Sequence, residues 1–151
     1  MRLKALALFT VAATVAATPL LRAEDVVSKK ETAVAQDLGF PGPSETKGLN
    51  ELKVVGLIPL KTDFPELEGR NFRMRTMVLE PGGVIAVHKH VGRPGMAYVL
   101  EGEVVEHRSD SPEPIVRKKG DVVLETPGLV HWIENKGAAP ARIVAVDIAQ
   151  E

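Results

Sequence analysis

The hydrophobic positions fall into three textures along the chain. Residues 5–17 are an unbroken run of small and apolar side chains, preceded by Arg2 and Lys4. Residues 24–50 are polar without a sustained period and end in the turn-rich stretch Gly39-Phe40-Pro41-Gly42-Pro43-Ser44. From residue 51 onward, short apolar runs alternate with turn residues. The clearest is 71–79, where Phe72, Met74, Thr76 and Val78 alternate with Arg73, Arg75, Met77 and Leu79, the period of two that marks a strand. The segments 53–60, 84–90, 96–100, 104–108, 115–117, 122–125, 130–134 and 142–148 read the same way, for about nine strands in all. Pro81-Gly82-Gly83, Pro94-Gly95 and Glu101-Gly102-Glu103 supply turns between them. Frequent turn signals with almost no helical period predict an all-β sandwich or barrel. Within the polar segment a short helix is expected around 30–37, and the rest reads as an extended arm, not a second domain.

The first texture is that of an export signal. A basic start, the apolar run and Leu21-Arg22-Ala23 before Glu24 make a signal peptide over 1–23. The run is shorter than the roughly 20 residues a bilayer span needs. The expected organisation is therefore a signal peptide (1–23), an arm (24–50) and a barrel (51–151), in a periplasmic or secreted protein with no membrane attachment after cleavage. Without 1–23 the chain carries sixteen basic and twenty acidic residues, a net charge of −4. That balance argues against nucleic acid and anionic membrane surfaces as partners. The chain has no cysteine, which excludes disulfides, thiolate catalysis and sulfur-based metal sites.

Two of the four histidines stand as His88-Lys89-His90. Side chains two apart on a strand share a face, so both imidazoles can converge on one ion. Imidazole suits zinc, copper, iron and nickel. The surroundings sharpen this. Gly82, five residues, His88, Lys89 and His90 match the pattern G-x5-H-x-H, and Tyr98-Val99-Leu100-Glu101-Gly102-Glu103 places Gly102 in that motif's final glycine slot. Gly120, Gly128, His131 and Asn135 fall in register with a second pattern, G-x5-P-x-G-x2-H-x3-N, with the proline displaced by one place to Pro127. Over roughly 70–148 the chain resembles the cupin superfamily.

That resemblance implies a cupin-type double-stranded β-helix, a jelly-roll barrel, holding one divalent transition metal (Fe, Mn, Ni, Cu or Zn) through His88, His90 and His131. The family's fourth ligand, a glutamate, falls on Gly95, counting seven back from Gly102. Three histidines leave several coordination positions for water, oxygen or substrate. The expected function is that of a mononuclear three-histidine oxygenase of the iron type acting on a small molecule. The alternatives are a non-catalytic periplasmic binding or sensing cupin and a metal-dependent isomerase or cyclase. A homodimer formed through the arm also follows from the resemblance.

Weaker candidates surround this set. Arg93, in the turn after the ligand pair, is placed to meet an anionic substrate, although solvation at the surface is the simpler reading. Glu125, on the strand leading to His131, is the carboxylate best placed to act as an outer-shell base. His107 matches neither motif and reads as an exposed surface residue. Trp132 and Tyr98 read as packing residues, Met77 and Met96 as core filler, and Arg117-Lys118-Lys119 as a solvated turn.

Overall fold

The computed structural model describes residues 26–150, so the assignment of 1–23 as a signal peptide lies outside the described residues. Among those described there are one α-helix, α1 (Lys29–Asp37), and eight strands: β1 (Lys47–Pro59), β2 (Arg70–Lys89), β3 (Gly95–Glu101), β4 (Glu103–Arg108), β5 (Ile115–Lys118), β6 (Val122–Glu125), β7 (Val130–Glu134) and β8 (Ala141–Gln150). The strands form one sheet in the order β5-β4-β7-β2-β8-β3-β6, with β1 also paired to β2 and every ladder antiparallel. The sheet curls into a nearly closed barrel. Its interior is filled by alternate residues of the strands, among them Met77, Leu79, Ile85, Val99, Val104 and Ile143. Alternation is cleanest in β8, where Ala141, Ile143, Ala145, Asp147 and Ala149 are buried and the residues between them are not.

The turn expected at Pro81-Gly82-Gly83 is instead a bend inside one 20-residue strand, which is why eight strands stand where about nine were expected. Residues 70–79 of β2 pair with β8 and β1, and residues 84–89 pair with β7. Gly82, at φ 75°, takes the left-handed conformation that glycine adopts at little cost. The bend therefore redirects the strand from one set of neighbours to another without reversing it. It is tied to the end of β7 by Gly82 N–H donating to the Asn135 carbonyl (2.8 Å) and Asn135 N–H donating to Gly83 (2.9 Å). The buried Asn135 amide donates to Leu79 and Ala139 as well. This gives the second motif's asparagine a structural role.

The arm is not extended away from the barrel. Ser28 and Glu31 form a reciprocal capping box that starts α1. Ala35 then buries against Val87 and Val130, with Phe40 and Trp132 packed beside them. Val26 and Val27 join the main core cluster. The arm covers its own barrel, and none of the described helices is long and apolar enough to cross a membrane.

The outer face of the sheet is apolar. Met74 pairs with Val146, Val146 with Met96 and Met96 with Leu124, a row running across β2, β8, β3 and β6. Met96 is therefore exposed on this face, not core filler, because its strand register turns it outward, whereas Met77 is buried as expected.

Candidate metal centre

The bend and a register shift in β2 between Ile85 and His88 aim the ligand pair. His88 lies directly across the ladder from His131 on β7, and His90 follows the end of β2. All three side chains are buried. Their Nε2 atoms form a triangle with sides of 2.9 Å (His88–His90), 3.2 Å (His90–His131) and 3.1 Å (His131–His88). Together they form the metal-competent cluster among the described residues. The three histidines singled out in the sequence meet at one point.

The other ring nitrogens determine what that triangle is. His88 Nδ1 lies 2.7 Å from the Ala86 carbonyl and His90 Nδ1 lies 3.0 Å from the Arg93 carbonyl. Carbonyl oxygens only accept, so both Nδ1 atoms carry the hydrogen and both Nε2 atoms present lone pairs. His131 Nδ1 faces Glu106 Oε1 at 3.1 Å, which orients it the same way. Burial, followed by the neighbouring His131 and His90, lowers the His88 pKa well below the ordinary imidazole value. Burial, Arg93 and His131 bring His90 to about 3. Neutral imidazoles are metal ligands. Three lone pairs this close repel unless a cation lies between them, and the spacing suits metal–nitrogen bonds of about 2.0–2.2 Å. The donor set fits a divalent transition ion.

Glu106 is a functional residue that the sequence reading missed. It is fully buried on β4 and is held by Arg108 (2.8 Å) and Arg117 (2.8 Å) as well as His131. Burial raises its pKa, but His131, Arg117 and Arg108 outweigh this and hold the carboxylate below its ordinary value. An ionised carboxylate behind a ligand histidine fixes the ring and raises its basicity. The only signal in the sequence was an acid in the inward register of a strand, two residues after Val104. Arg117 consequently belongs to a buried network and not to a solvated turn.

A model of the cupin domain family matches residues 75–147, a span that holds all three histidines. A predicted oxalate decarboxylase from Thermotoga maritima, known by crystal structure, is 29 % identical and superposes with a TM-score of 0.52 over 72 % of this chain and 90 % of its own. The chain belongs to the cupin superfamily. Among curated relatives, an oxalate-binding protein of Thermotoga maritima is 40 % identical over 72 residues, 48 % of this chain and 58 % of that protein. An auxin-binding protein of Prunus persica is 30 % identical over 95 residues, 61 % of this chain and 46 % of that protein. The chain spans about half the length of the curated relatives it matches.

In this cupin the vacancy at position 95 has a partner. Gly95 pairs with Glu125 across β3 and β6. A β-carbon at 95 would lie 2.7 Å from Glu125 Oε2 and 2.8 Å from the Val146 carbonyl oxygen. Gly95 is therefore required by close approach, not by turn conformation, and its backbone lies outside the positive-φ set. The Glu125 carboxylate occupies the space in which a side chain from 95 would begin. It is buried, 3.5 Å from His90 Nδ1, and burial raises its pKa. It joins His88 and His90 in lining a small interior cavity of about 20 Å³.

Arg93 departs from the solvated reading. It is 8 % exposed, and its guanidinium donates to Glu31 Oε1 (2.9 Å) and Asp147 Oδ2 (2.6 Å). Asp147 also binds Arg73 (2.8 Å) and Arg75 (2.8 Å). Three guanidiniums thus share one carboxylate of β8 at the barrel mouth beside the histidines. His107 stays outside the cluster, stacked on Trp132 at 3.7 Å between ring centroids and hydrogen-bonded to Glu134. It is half-buried, not exposed, but it meets no ligand histidine. Tyr98 sits on the outer sheet face.

Proposed function

We propose that this protein is a metal-dependent cupin acting on a small carboxylate, with one divalent transition ion held by His88, His90 and His131. The observation that carries this reading is the convergence of three buried Nε2 lone pairs whose Nδ1 atoms are all anchored. A bound ion would supply Lewis acidity and, if redox-active, oxygenase chemistry at the positions the histidines leave open. Glu106 holds the His131 ring, the Ala86 and Arg93 carbonyls hold the other two, and Glu125 lines the cavity as a carboxyl able to take or give a proton. The carboxylate class draws support from the oxalate-related descriptions of the Thermotoga maritima matches and from the arginine cluster at the mouth.

The second reading, non-catalytic binding, is favoured by the size of the cavity, which has room for about one water. Elemental analysis of protein from its native compartment, then oxygen-consumption assays with oxalate and related acids, separates the two. We expect about one transition-metal equivalent per chain. Absence of metal before and after reconstitution would sink both readings. Oxygen uptake distinguishes the oxygenase from the binding protein.

The apolar outer face, with Ile58, Phe72, Met74, Met96, Tyr98 and Leu124 exposed, is suited to a second copy of the chain. Our reading is a homodimer across that face, and a monomer in sedimentation at micromolar concentration would refute it. We also place the protein in the periplasm or medium. That rests on the export-type start of the chain, and an intact mass beginning at Glu24 checks it.

A further inference from the structure

The interior cavity beside the histidines is small and lined by buried residues, and the mouth of the barrel shows what narrows it. A cleft of about 510 Å³ lies outside, lined by Ser28, Lys30, Glu31, Arg70 and Arg73 among others. Val26 and Arg93 line both the cleft and the inner cavity. They are the partition between them. Val26 is the start of the described arm, and its carbonyl faces Arg75 Nη1 (3.5 Å) and Arg93 Nη2 (3.4 Å). Five residues on, Glu31 spans two tasks. One oxygen accepts from Ser28 N–H and Oγ in the capping box, and the other accepts from Arg93 Nε.

The geometry points to residues 26–31 as a strap across the barrel mouth, latched by Glu31 on Arg93, which an anionic ligand opens by taking the place of the Glu31 carboxylate. This rests on the reading above, in which a small carboxylate reaches the ion. The inner cavity holds about one water, so any larger ligand requires the partition to move. Of its two components, Arg93 is tied to Asp147 on β8 and its carbonyl holds His90. The strap is held by side-chain packing of two valines, by two long hydrogen bonds from Arg75 and Arg93 to the Val26 carbonyl, and by the Glu31 carboxylate on Arg93 Nε. The charge count favours exchange. With Glu31 in place the Arg93 guanidinium meets two carboxylates, Glu31 and Asp147; with Glu31 withdrawn its Nε loses its acceptor while Asp147 stays shared with Arg73 and Arg75. A guanidinium with a free edge takes a carboxylate through charge-assisted hydrogen bonds. Glu31 thus occupies the position that the ligand's own carboxylate would take.

The test uses the metal-loaded, full mature protein, with oxalate as probe and oxamide as its neutral counterpart. Hydrogen exchange is followed at the backbone amides of residues 27–31. Saturating oxalate is expected to speed exchange there, and oxamide to leave it unchanged. Glu31→Gln keeps a glutamine in the capping box but removes the charge, so these amides should exchange faster without ligand. The variant should also bind oxalate roughly five- to tenfold more tightly, because the closed state no longer competes. Oxalate binding with unchanged exchange in wild type, or equal oxalate affinity in wild type and Glu31→Gln, would overturn the strap. Failure of both proteins to bind oxalate would overturn the anionic-ligand assignment. Failure to retain metal would instead overturn the underlying functional reading.

Discussion

His131→Ala should weaken divalent-metal binding by more than about a hundredfold, while His107→Ala leaves it nearly unchanged. Loss of a partner behind a ligand costs roughly 10–100-fold in metal affinity, and loss of the ligand itself costs more. The two histidines lie on neighbouring, directly paired strands, with His107 opposite Trp132 and His131 opposite Arg108. They differ in what their rings meet. His131 Nε2 is within 3.2 Å of both other ligand nitrogens, whereas His107 Nε2 ends on Glu134 at 2.6 Å. Truncating His131 leaves Glu106 still paired with Arg108 and Arg117, so the metal-free variant should remain folded. Glu106→Gln should fall between the two, with a loss of roughly 10–100-fold. Titration of each metal-free protein with zinc or manganese, beside its thermal unfolding, reads these effects. Equal losses in His131→Ala and His107→Ala would remove the histidine triangle as the binding site.

The strands and the His88–His90 pair were legible because both rest on local spacing, whereas His131 entered as a ligand only through the resemblance to the cupin superfamily. Alternation identifies an inward and an outward face, and two histidines at i and i+2 share whichever face is theirs. The bend in β2 was not legible. Proline and two glycines mark a break in extended structure, but whether the chain reverses or only changes neighbours depends on the Asn135 backbone, which arrives from 53 or so residues later in the chain. The buried charges were half legible. Arg75, Glu106 and Asp147 stand in inward registers where apolar residues are expected, yet their partners come from other strands or from the arm. For Arg93, a position in a turn suggested solvent. Its partners lie 54 and 62 residues away along the chain, and no local pattern encodes such a meeting. The capping box Ser28-x-x-Glu31 was present in the sequence as a helix start, but its second use as a latch was not. Position 95 is the instructive case: the vacant slot followed from the family's motif, and the carboxylate that fills its space was visible only from strand pairing.

Asp147→Asn should destabilise the fold by about 3–5 kcal/mol, the cost of removing one partner from a buried charge cluster. Asp147 is fully buried and binds Arg73, Arg75 and Arg93 at 2.6–2.8 Å. An asparagine keeps the shape but has one acceptor oxygen and no charge, so three guanidiniums would lose the carboxylate they share. Burial alone would raise the Asp147 pKa, but the arginines outweigh it and bring it from 3.8 to about 2. The sign follows from that depression. The ionised form is favoured in the folded state, so its contribution is complete above the unfolded value of 3.8. It is lost as pH falls through the folded value of about 2. Its size, on the order of 2 kcal/mol, is smaller than the effect of substitution because protonation and mutation leave different groups behind. Wild type should therefore lose stability between about pH 4 and pH 2, and Asp147→Asn should start lower and show a shallower fall across that window. Denaturant unfolding of both metal-free proteins at neutral pH and through this range measures both quantities. A substitution cost below about 1 kcal/mol, within the ordinary range for a point mutation, would mean that solvent or counter-ions neutralise the arginines. The buried cluster would then not be what holds the barrel mouth in place.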